Sequence, residues 1–279
     1  MLFNDLFRLK KATDADKNIM EYLEKNPESI EKLTIQELAA RTYSSNASVV
    51  RFARKLGFGG FRELKVQLIK LVEQNNYALS EINPDVPFRY DTSIKKISRD
   101  MMQLTNQTLL ESYQSLDEAA LFTATKRLYE ADRIFIYAAG DSQIRAQSFQ
   151  NKLWKINKYP ILATSRSEWA VNTTNITSRD CALFISYTTK SNQDLKAAQY
   201  LQQEHVPQIL ITSHTDTELA GLMDVLLKIP RLESDEQEKI ATFSSQMAIE
   251  YTLNVLFSTI YQIDYEANRA HQLKREDLS

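Results

Sequence analysis

The chain contains one cysteine, five glycines and no long apolar run. A single cysteine excludes a disulfide framework and a cysteine-based zinc cluster. Every apolar run is shorter than the roughly 18 residues that a membrane span needs. The first residues also lack the apolar centre and cleavage site of a signal peptide. We therefore expect a cytoplasmic protein without membrane attachment.

Histidine is scarce as well. The three histidines, His205, His214 and His271, form no cluster with the spacing of metal ligands. No Ser-His-Asp order in the chain indicates a hydrolase. The sequence therefore predicts neither a metal nor a cofactor. Its 43% of hydrophobic residues is enough for a sizeable core, and its 279 residues suggest about two domains.

Residues 34 to 56 have the pattern of two short helices joined by a tight turn. Thr34 and Glu37 have the spacing of a capping box, which predicts a helix that begins at Thr34. Ser45 can cap a second helix. Apolar residues of that helix follow the spacing i, i+3, i+4, i+7 at Val49, Phe52, Ala53 and Leu56. This order of elements is that of a helix-turn-helix.

The opposite face of the second helix is small at its start and basic toward its end. From Arg41 to Lys70 there are seven basic residues and one acid, Glu63, in a chain whose formal net charge is −2. Small residues allow close approach to base edges in a major groove, and arginine and lysine reach bases or phosphates. The predicted DNA-binding residues are Thr34, Ser45, Asn46, Ala47, Ser48, Arg51, Arg54 and Lys55. An ordinary helical hairpin with a solvated basic face is the alternative.

From residue 132 onward, apolar runs alternate with helical stretches. The runs lie at 133–138, 159–164, 181–186, 207–212 and 224–229. Their nearly continuous apolar character is typical of parallel strands that are covered on both faces. The alternation predicts a doubly wound, mostly parallel five-stranded sheet in an α/β domain. A long apolar helix over 239–261 closes this domain and is wide enough for both core and partner contacts.

The same patterns divide the chain. Residues 1–75 are predicted to form an all-helical DNA-binding domain. Residues 76–94 contain two prolines and no clean periodicity, which predicts a linker. Residues 95–279 are predicted to form the α/β domain, which binds an effector and dimerises.

Hydroxyl-bearing residues follow three of the predicted strands. In parallel α/β sheets, ligands bind outside the carboxyl ends of the strands. Two of these loops open helices, whose N-termini suit a phosphate dianion. The predicted effector-binding residues are Gly140, Asp141, Ser142, Ser186, Thr188, Thr189, Ser191 and Ser213. For any one loop, simple helix capping is the alternative, but three such loops favour a site for a sugar phosphate.

These motifs together resemble an RpiR-type transcriptional regulator, which joins a helix-turn-helix to a sugar isomerase (SIS) domain. The resemblance rests on Ser45, on Val49-Val50-Arg51-Phe52 and on Lys55-Leu56-Gly57-Phe58, and more loosely on 140–142 and 186–191. It implies a regulator whose affinity for an operator in double-stranded DNA is controlled by a phosphorylated sugar or amino sugar. It also implies a homodimer or tetramer.

The sequence departs from the family pattern in two turns. Tyr43 and Ser44 stand where the family usually has a glycine and an aliphatic residue. Thr189 stands where the family has a glycine that lets the backbone approach the phosphate. The first departure predicts a changed turn between the two helices, and the second predicts a changed ligand loop.

A sugar-phosphate isomerase is the alternative function. Aldose–ketose isomerisation needs a positioned base, and the sequence offers His214 and Glu168. His214 is expected to be a residue of a surface loop, and no second catalytic group is spaced to pair with Glu168. A module that binds only proteins is a third possibility, against which the local basic excess argues. We therefore expect a regulator rather than an enzyme.

Overall fold

The computed structural model describes residues 3, 6–7, 12–79, 82–235 and 239–276. The chain divides into two compact units, Met1–Glu81 and Ile82–Ser279. Among the described residues, every helix is too short or too polar to cross a bilayer.

Every regular element among the described residues of the first unit is a helix. Its elements are α1 (Asp14–Lys25), a 3₁₀ helix (Pro27–Lys32), α2 (Ile35–Arg41), α3 (Asn46–Lys55) and α4 (Phe61–Leu79). The predicted caps are confirmed, since the hydroxyls of Thr34 and Ser45 accept hydrogen bonds from the backbone of the third residue in each helix. The apolar positions of α3 are confirmed as well, because Val49, Phe52 and Ala53 are fully buried. Helix α4 extends to Leu79, four residues into the predicted linker.

The second unit begins with two helices and continues as an α/β fold. Its helices before the sheet are α5 (Ile94–Gln114) and α6 (Glu118–Glu130). The remaining elements are β1 (Ile134–Ala138), α7 (Asp141–Trp154), β2 (Ile161–Leu162), α8 (Arg166–Asn175), β3 (Cys181–Ile185), α9 (Asn192–Gln203), β4 (Gln208–Thr212), α10 (Glu218–Gly221), β5 (Val225–Lys228), α11 (Ser244–Ile263) and α12 (Tyr265–Glu276). The strand order is β2-β1-β3-β4-β5 and all pairs are parallel. The predicted doubly wound sheet is confirmed.

Helices cover both faces of the sheet. One layer contains α6, α7 and α11, whose buried residues pack against Ile136 and Leu183. The other contains α8, α9 and α10, which pack against Phe135 and Phe184. Every residue of β1, β3 and β4 is buried, which explains why these runs are apolar without alternation. Cys181 lies in this core, and burial raises the pKa of its thiol to about 12.

Strand β2 and helix α11 differ from their predicted extents. Strand β2 has only two residues, because it pairs with β1 alone and follows Pro160, which has no backbone N–H. Helix α11 begins at Ser244 rather than at 239, since the segment before it runs along the domain in an irregular conformation. The apolar stripe of α11 packs on its own sheet, with Ile249, Leu253 and Leu256 fully buried.

Candidate functional site

Helix α3 presents a small, polar and basic face to solvent. Asn46, Ala47, Arg51 and Arg54 are exposed. The Ser45 hydroxyl caps the helix, and Arg51 Nη2 donates a hydrogen bond to Ser48 Oγ over 3.2 Å. This bond orients the guanidinium along the first turn of the helix, where helix-turn-helix proteins contact base edges.

The turn between α2 and α3 keeps a left-handed residue despite the missing glycine. Tyr43 has φ +49° and is 95% exposed. The amide of Ser44 donates to the Ala39 carbonyl over 2.8 Å, as in a helix that ends with a left-handed residue. The turn therefore has tyrosine in place of glycine but keeps the backbone conformation that glycine favours. Holding Tyr43 in this left-handed conformation costs about 1–2 kcal/mol of conformational free energy.

Two of the predicted DNA-binding residues, Lys55 and Thr34, are held by acidic side chains of the protein. Lys55 Nζ lies 2.5 Å from Oδ2 of Asp16, whose side chain is only 4% exposed. Burial raises the pKa of Asp16, but hydrogen bonds from Lys55 and Thr13 outweigh it and hold the pKa below its usual value. Lys55 thus fastens α3 to α1. Thr34 is similarly engaged in its capping box with Glu37.

The second candidate site is a cleft at the carboxyl ends of β1 and β3. These neighbouring strands lead into α7 and α9, which cover opposite faces of the sheet. The connections after β1 and β3 therefore leave the sheet toward opposite faces, and α/β sheets of this type bind ligands in the crevice between two such connections. The cleft has a volume of about 270 Å³.

Five of the eight predicted effector residues line this cleft. They are Asp141 and Ser142 from the start of α7, and Ser186, Thr188 and Ser191 from the loop between β3 and α9. Gly140 directly precedes them with φ +58°. The structure therefore brings together hydroxyls from two loops and the N-termini of two helices.

Ser213 and Thr189 lie outside the lining. The Ser213 hydroxyl is buried and donates to the carbonyl of Tyr187 over 2.9 Å, so it links the loops that follow β3 and β4. Thr189 has φ +55°, and its hydroxyl donates to the Thr188 carbonyl and to Thr217 Oγ1. Its backbone thus keeps a glycine-like conformation while its side chain contacts the cap of α10.

The two predicted bases also lie outside the cleft lining. His214 is buried rather than exposed in a loop, because its Nε2 lies 2.6 Å from Asp235 Oδ2 and its Nδ1 lies 2.9 Å from the Tyr187 carbonyl. The Glu168 carboxylate caps α8, and hydrogen bonds from the hydroxyl and amide of Thr164 lower its pKa. Both groups therefore have structural roles in this fold.

The opposite wall of the cleft comes from the segment that precedes α11, which we call the strap (231–235 and 239–243). Glu233 is 1% exposed and accepts hydrogen bonds from the amide and hydroxyl of Ser245, both over 2.8 Å. Lys239 Nζ lies 3.4 Å from Glu233 Oε2. The acidic character of 233–238 is visible in the sequence, but the position of Glu233 beside the β1 and β3 loops is set by tertiary packing.

Asp194 in the first turn of α9 also lines the cleft. It is 5% exposed, and burial raises its pKa to about 7. In the sequence, a carboxyl residue at the third position of a helix predicts only a role in helix capping. Only the folded structure reveals that this one is buried beside a ligand-sized space.

Comparisons with known proteins agree with both halves of the structure. Residues 7–75 match the model of the helix-turn-helix domain of the rpiR family, and residues 127–256 match the SIS domain. An uncharacterised HTH-type transcriptional regulator of Haemophilus influenzae is 23% identical over 97% of this chain and 92% of its own.

Two solved structures have a similar fold. The Vibrio vulnificus NanR protein, complexed with ManNAc-6P, aligns with a TM-score of 0.60 and 18% identity over 100% of this chain and 98% of its own. A putative phosphosugar isomerase of Bacteroides fragilis aligns with a TM-score of 0.55 and 14% identity over 64% of this chain and 97% of its own. The fold of the second unit is therefore shared by a protein complexed with a sugar phosphate and by a protein named as a putative phosphosugar isomerase.

Proposed function

This chain is a transcriptional regulator of the RpiR family, with a helix-turn-helix domain and a SIS domain, and from that premise we propose that a phosphorylated sugar or amino sugar controls its affinity for DNA. The effector binds in the cleft between the loops that follow β1 and β3. The recognition helix is α3. Two copies of the chain bind two operator half-sites about 34 Å apart, because one short helix reads too few base pairs to specify a site.

The convergence of hydroxyls on two helix N-termini carries this proposal. Ser142 lies in the first turn of α7, and Ser191 caps α9. Backbone N–H groups and the positive end of each helix dipole stabilise a phosphate dianion at such positions. Lys190 and Lys239 add two ammonium groups to the lining. The ManNAc-6P complex of the similarly folded NanR supports the ligand class.

Binding, rather than isomerisation, is the function that the side chains favour. The two bases that the sequence offered, His214 and Glu168, lie outside the cleft lining and are hydrogen-bonded to Asp235 and Thr164. The best-covered relatives are regulators by name. A ligand that is bound and released unchanged is what a sensor requires.

The route from the effector to the DNA-binding unit involves Asp85. This residue is the fourth of the second unit, is 3% exposed and lies in the predicted linker (76–94), which we call the connecting segment. Its carboxylate accepts from the Ser234 amide over 3.0 and 3.1 Å, and its carbonyl accepts from the Ile240 amide over 3.0 Å. The connecting segment is thus attached to the strap, which also forms one wall of the cleft.

A ligand that repositions the strap can therefore act on the segment that leads to the helix-turn-helix. The change in DNA affinity equals the difference in ligand affinity between the two arrangements, typically about 1–3 kcal/mol, or about 5- to 150-fold. This coupling is testable with the full chain and the DNA upstream of its own gene.

We expect Asp85→Ala to reduce the ligand-induced change in DNA affinity to about twofold or less, because the Ser234 amide loses the carboxylate that attaches the strap to the connecting segment. Fluorescence anisotropy of a labelled upstream duplex, titrated with and without ManNAc-6P, glucosamine 6-phosphate and glucose 6-phosphate, measures this change. Asp91→Ala is the matched control, since Asp91 is an exposed carboxylate in the same segment. A full response in the Asp85 variant would contradict this route.

A further inference from the structure

The carboxyl group of Asp194 is the least satisfied acid in the cleft. Its side chain is 95% buried, and its Oδ1 has no hydrogen-bond partner among the described residues. The amide oxygen of Gln246, across the same cleft, is also buried without a partner in the described part of the chain. An unpaired buried polar atom costs about 1–3 kcal/mol and calls for an explanation such as an absent ligand.

The charges around Asp194 make an ionised carboxylate unfavourable there when an anion binds. The cleft is lined by the carboxylates of Asp141 and Glu233 and by the ammonium groups of Lys190 and Lys239, with the Tyr187 ring beside them. Lys239 is already paired with Glu233. With Asp194 ionised, three carboxylates face two ammonium groups, whereas a neutral Asp194 balances the lining.

We propose that binding of a dianion in this cleft takes up one proton from solvent and that Asp194 carries it. This inference rests on the proposed function, since the dianion is the phosphate of the effector. In the step, the Asp194 carboxylate gains a proton to become a neutral carboxyl group, and no other bond is made or broken. The group changes from an acceptor that repels phosphate to a donor that can hydrogen-bond it.

The starting state of Asp194 makes this uptake measurable near neutral pH. Burial raises its pKa to about 7, with a smaller opposing effect from the Ser191 hydrogen bond. A dianion placed nearby raises the pKa further, because like charges disfavour ionisation. The complex therefore stays protonated at pH values where free Asp194 is ionised, and affinity falls as pH rises above 7.

Inorganic sulfate is the appropriate probe because it remains a dianion between pH 6 and 8, whereas a phosphate monoester has a second pKa near 6 and titrates itself. We expect sulfate to bind about tenfold more weakly at pH 8 than at pH 6, as linkage to one proton requires. Isothermal titration calorimetry in two buffers of different ionisation enthalpy counts the proton directly. ManNAc-6P is titrated in parallel to relate the sulfate site to a sugar phosphate.

Asp194→Asn is expected to remove the tenfold pH dependence and to bind sulfate about tenfold more tightly than wild type at pH 8. Glu168→Gln is the matched control, because Glu168 occupies the same third helical position at the capped start of α8 but lies outside the cleft lining. The control is expected to keep the wild-type pH dependence.

Thermal unfolding gives a second measurement that needs no ligand. A raised pKa in the folded state means that Asp194 favours folding at low pH and that this contribution is lost as pH rises through about 7. Asp194→Asn should therefore raise the melting temperature relative to wild type by more at pH 8 than at pH 5.5. An equal difference at both pH values would overturn the inference.

The outcomes separate the two proposals. Loss of the pH dependence in the Asp194 variant alone supports proton uptake by this residue. Sulfate or ManNAc-6P binding with the same pH dependence in wild type and Asp194→Asn would overturn the inference and leave the proposed effector site standing. No binding of either anion to wild type between pH 6 and 8 would overturn both.

Discussion

Arg51→Ala is expected to weaken binding to the upstream operator by about 10- to 100-fold, because a specific arginine–base contact is worth about 1–3 kcal/mol. Arg51 is exposed on α3 and is oriented by Ser48, while the buried face of the helix packs in the core. The substitution therefore removes a recognition group without creating a cavity. Fluorescence anisotropy against the operator and against an unrelated duplex measures the loss for each.

Arg179→Ala is the matched control for this experiment. It removes the same charge from the second unit, where the Arg179 side chain is 81% exposed and lies 3.4 Å from Asp132. We expect operator affinity to remain within about twofold of wild type, since an exposed ion pair of this kind contributes little. Equal losses from the Arg51 and Arg179 variants would mean that general charge, rather than recognition by α3, accounts for DNA binding.

Lys55 is unsuitable for the same test. Its removal leaves the buried Asp16 carboxylate without its cation, and breaking such a pair destabilises the fold. Weaker DNA binding of a Lys55 variant would therefore combine a stability effect with any lost contact. Arg54 is the better choice for a phosphate contact, because it is exposed on the same helix.

Ser142→Ala is expected to weaken sugar phosphate binding by about 10- to 100-fold, because a hydrogen bond to a charged group contributes about 1.5–3 kcal/mol. Ser142 lies where the α7 N-terminus meets the cleft, so its hydroxyl and the helix dipole act on the same anion. Calorimetric titration of wild type and variant with the sugar phosphate that wild type binds most tightly measures the change.

Ser258→Ala controls for loss of a serine hydroxyl. Ser258 is exposed on α11, and its hydroxyl donates to the Asn254 carbonyl of its own helix. Unchanged affinity in this variant and a large loss in Ser142→Ala would support the proposed phosphate position. Wild-type affinity in Ser142→Ala would remove α7 from the site.

Local features of the structure were predictable because their causes are local. The caps at Thr34 and Ser45 depend on residues within three positions of each hydroxyl. The buried strands depend on continuous apolar runs, and the candidate cleft follows from the rule that parallel strands end at one edge. The same rule predicts that Ser142, Ser186 and Ser191 lie at one site, and all three line the cleft.

Contacts between residues that are distant in sequence were not predictable. Asp16 is 39 residues from Lys55, and Asp235 is 21 residues from His214. No periodicity reveals such pairs, so the sequence shows neither the ion pair of Lys55 nor the burial of His214. The same holds for Ser213, whose acceptor, the Tyr187 carbonyl, lies on a neighbouring loop.

At the two positions that depart from the family pattern, the backbone conformation differs less than expected. Tyr43 and Thr189 both adopt positive φ, the region that favours glycine. A side chain at such a position costs free energy but does not prevent the turn when the surrounding hydrogen bonds fix it. A non-glycine residue at these two positions therefore indicates backbone strain rather than a new loop shape.

Photo-crosslinking from α3 tests the central claim, that its exposed face lies against duplex DNA, most directly. Ala47 is small and exposed at the start of this helix, so p-benzoylphenylalanine can replace it without disturbing the core. Irradiation with the upstream duplex at low salt is expected to give a covalent protein–DNA product, whereas the same probe at exposed Thr123 of the second unit is expected to give none. DNA binding without a crosslink from position 47, or a crosslink from position 123 alone, would contradict the account.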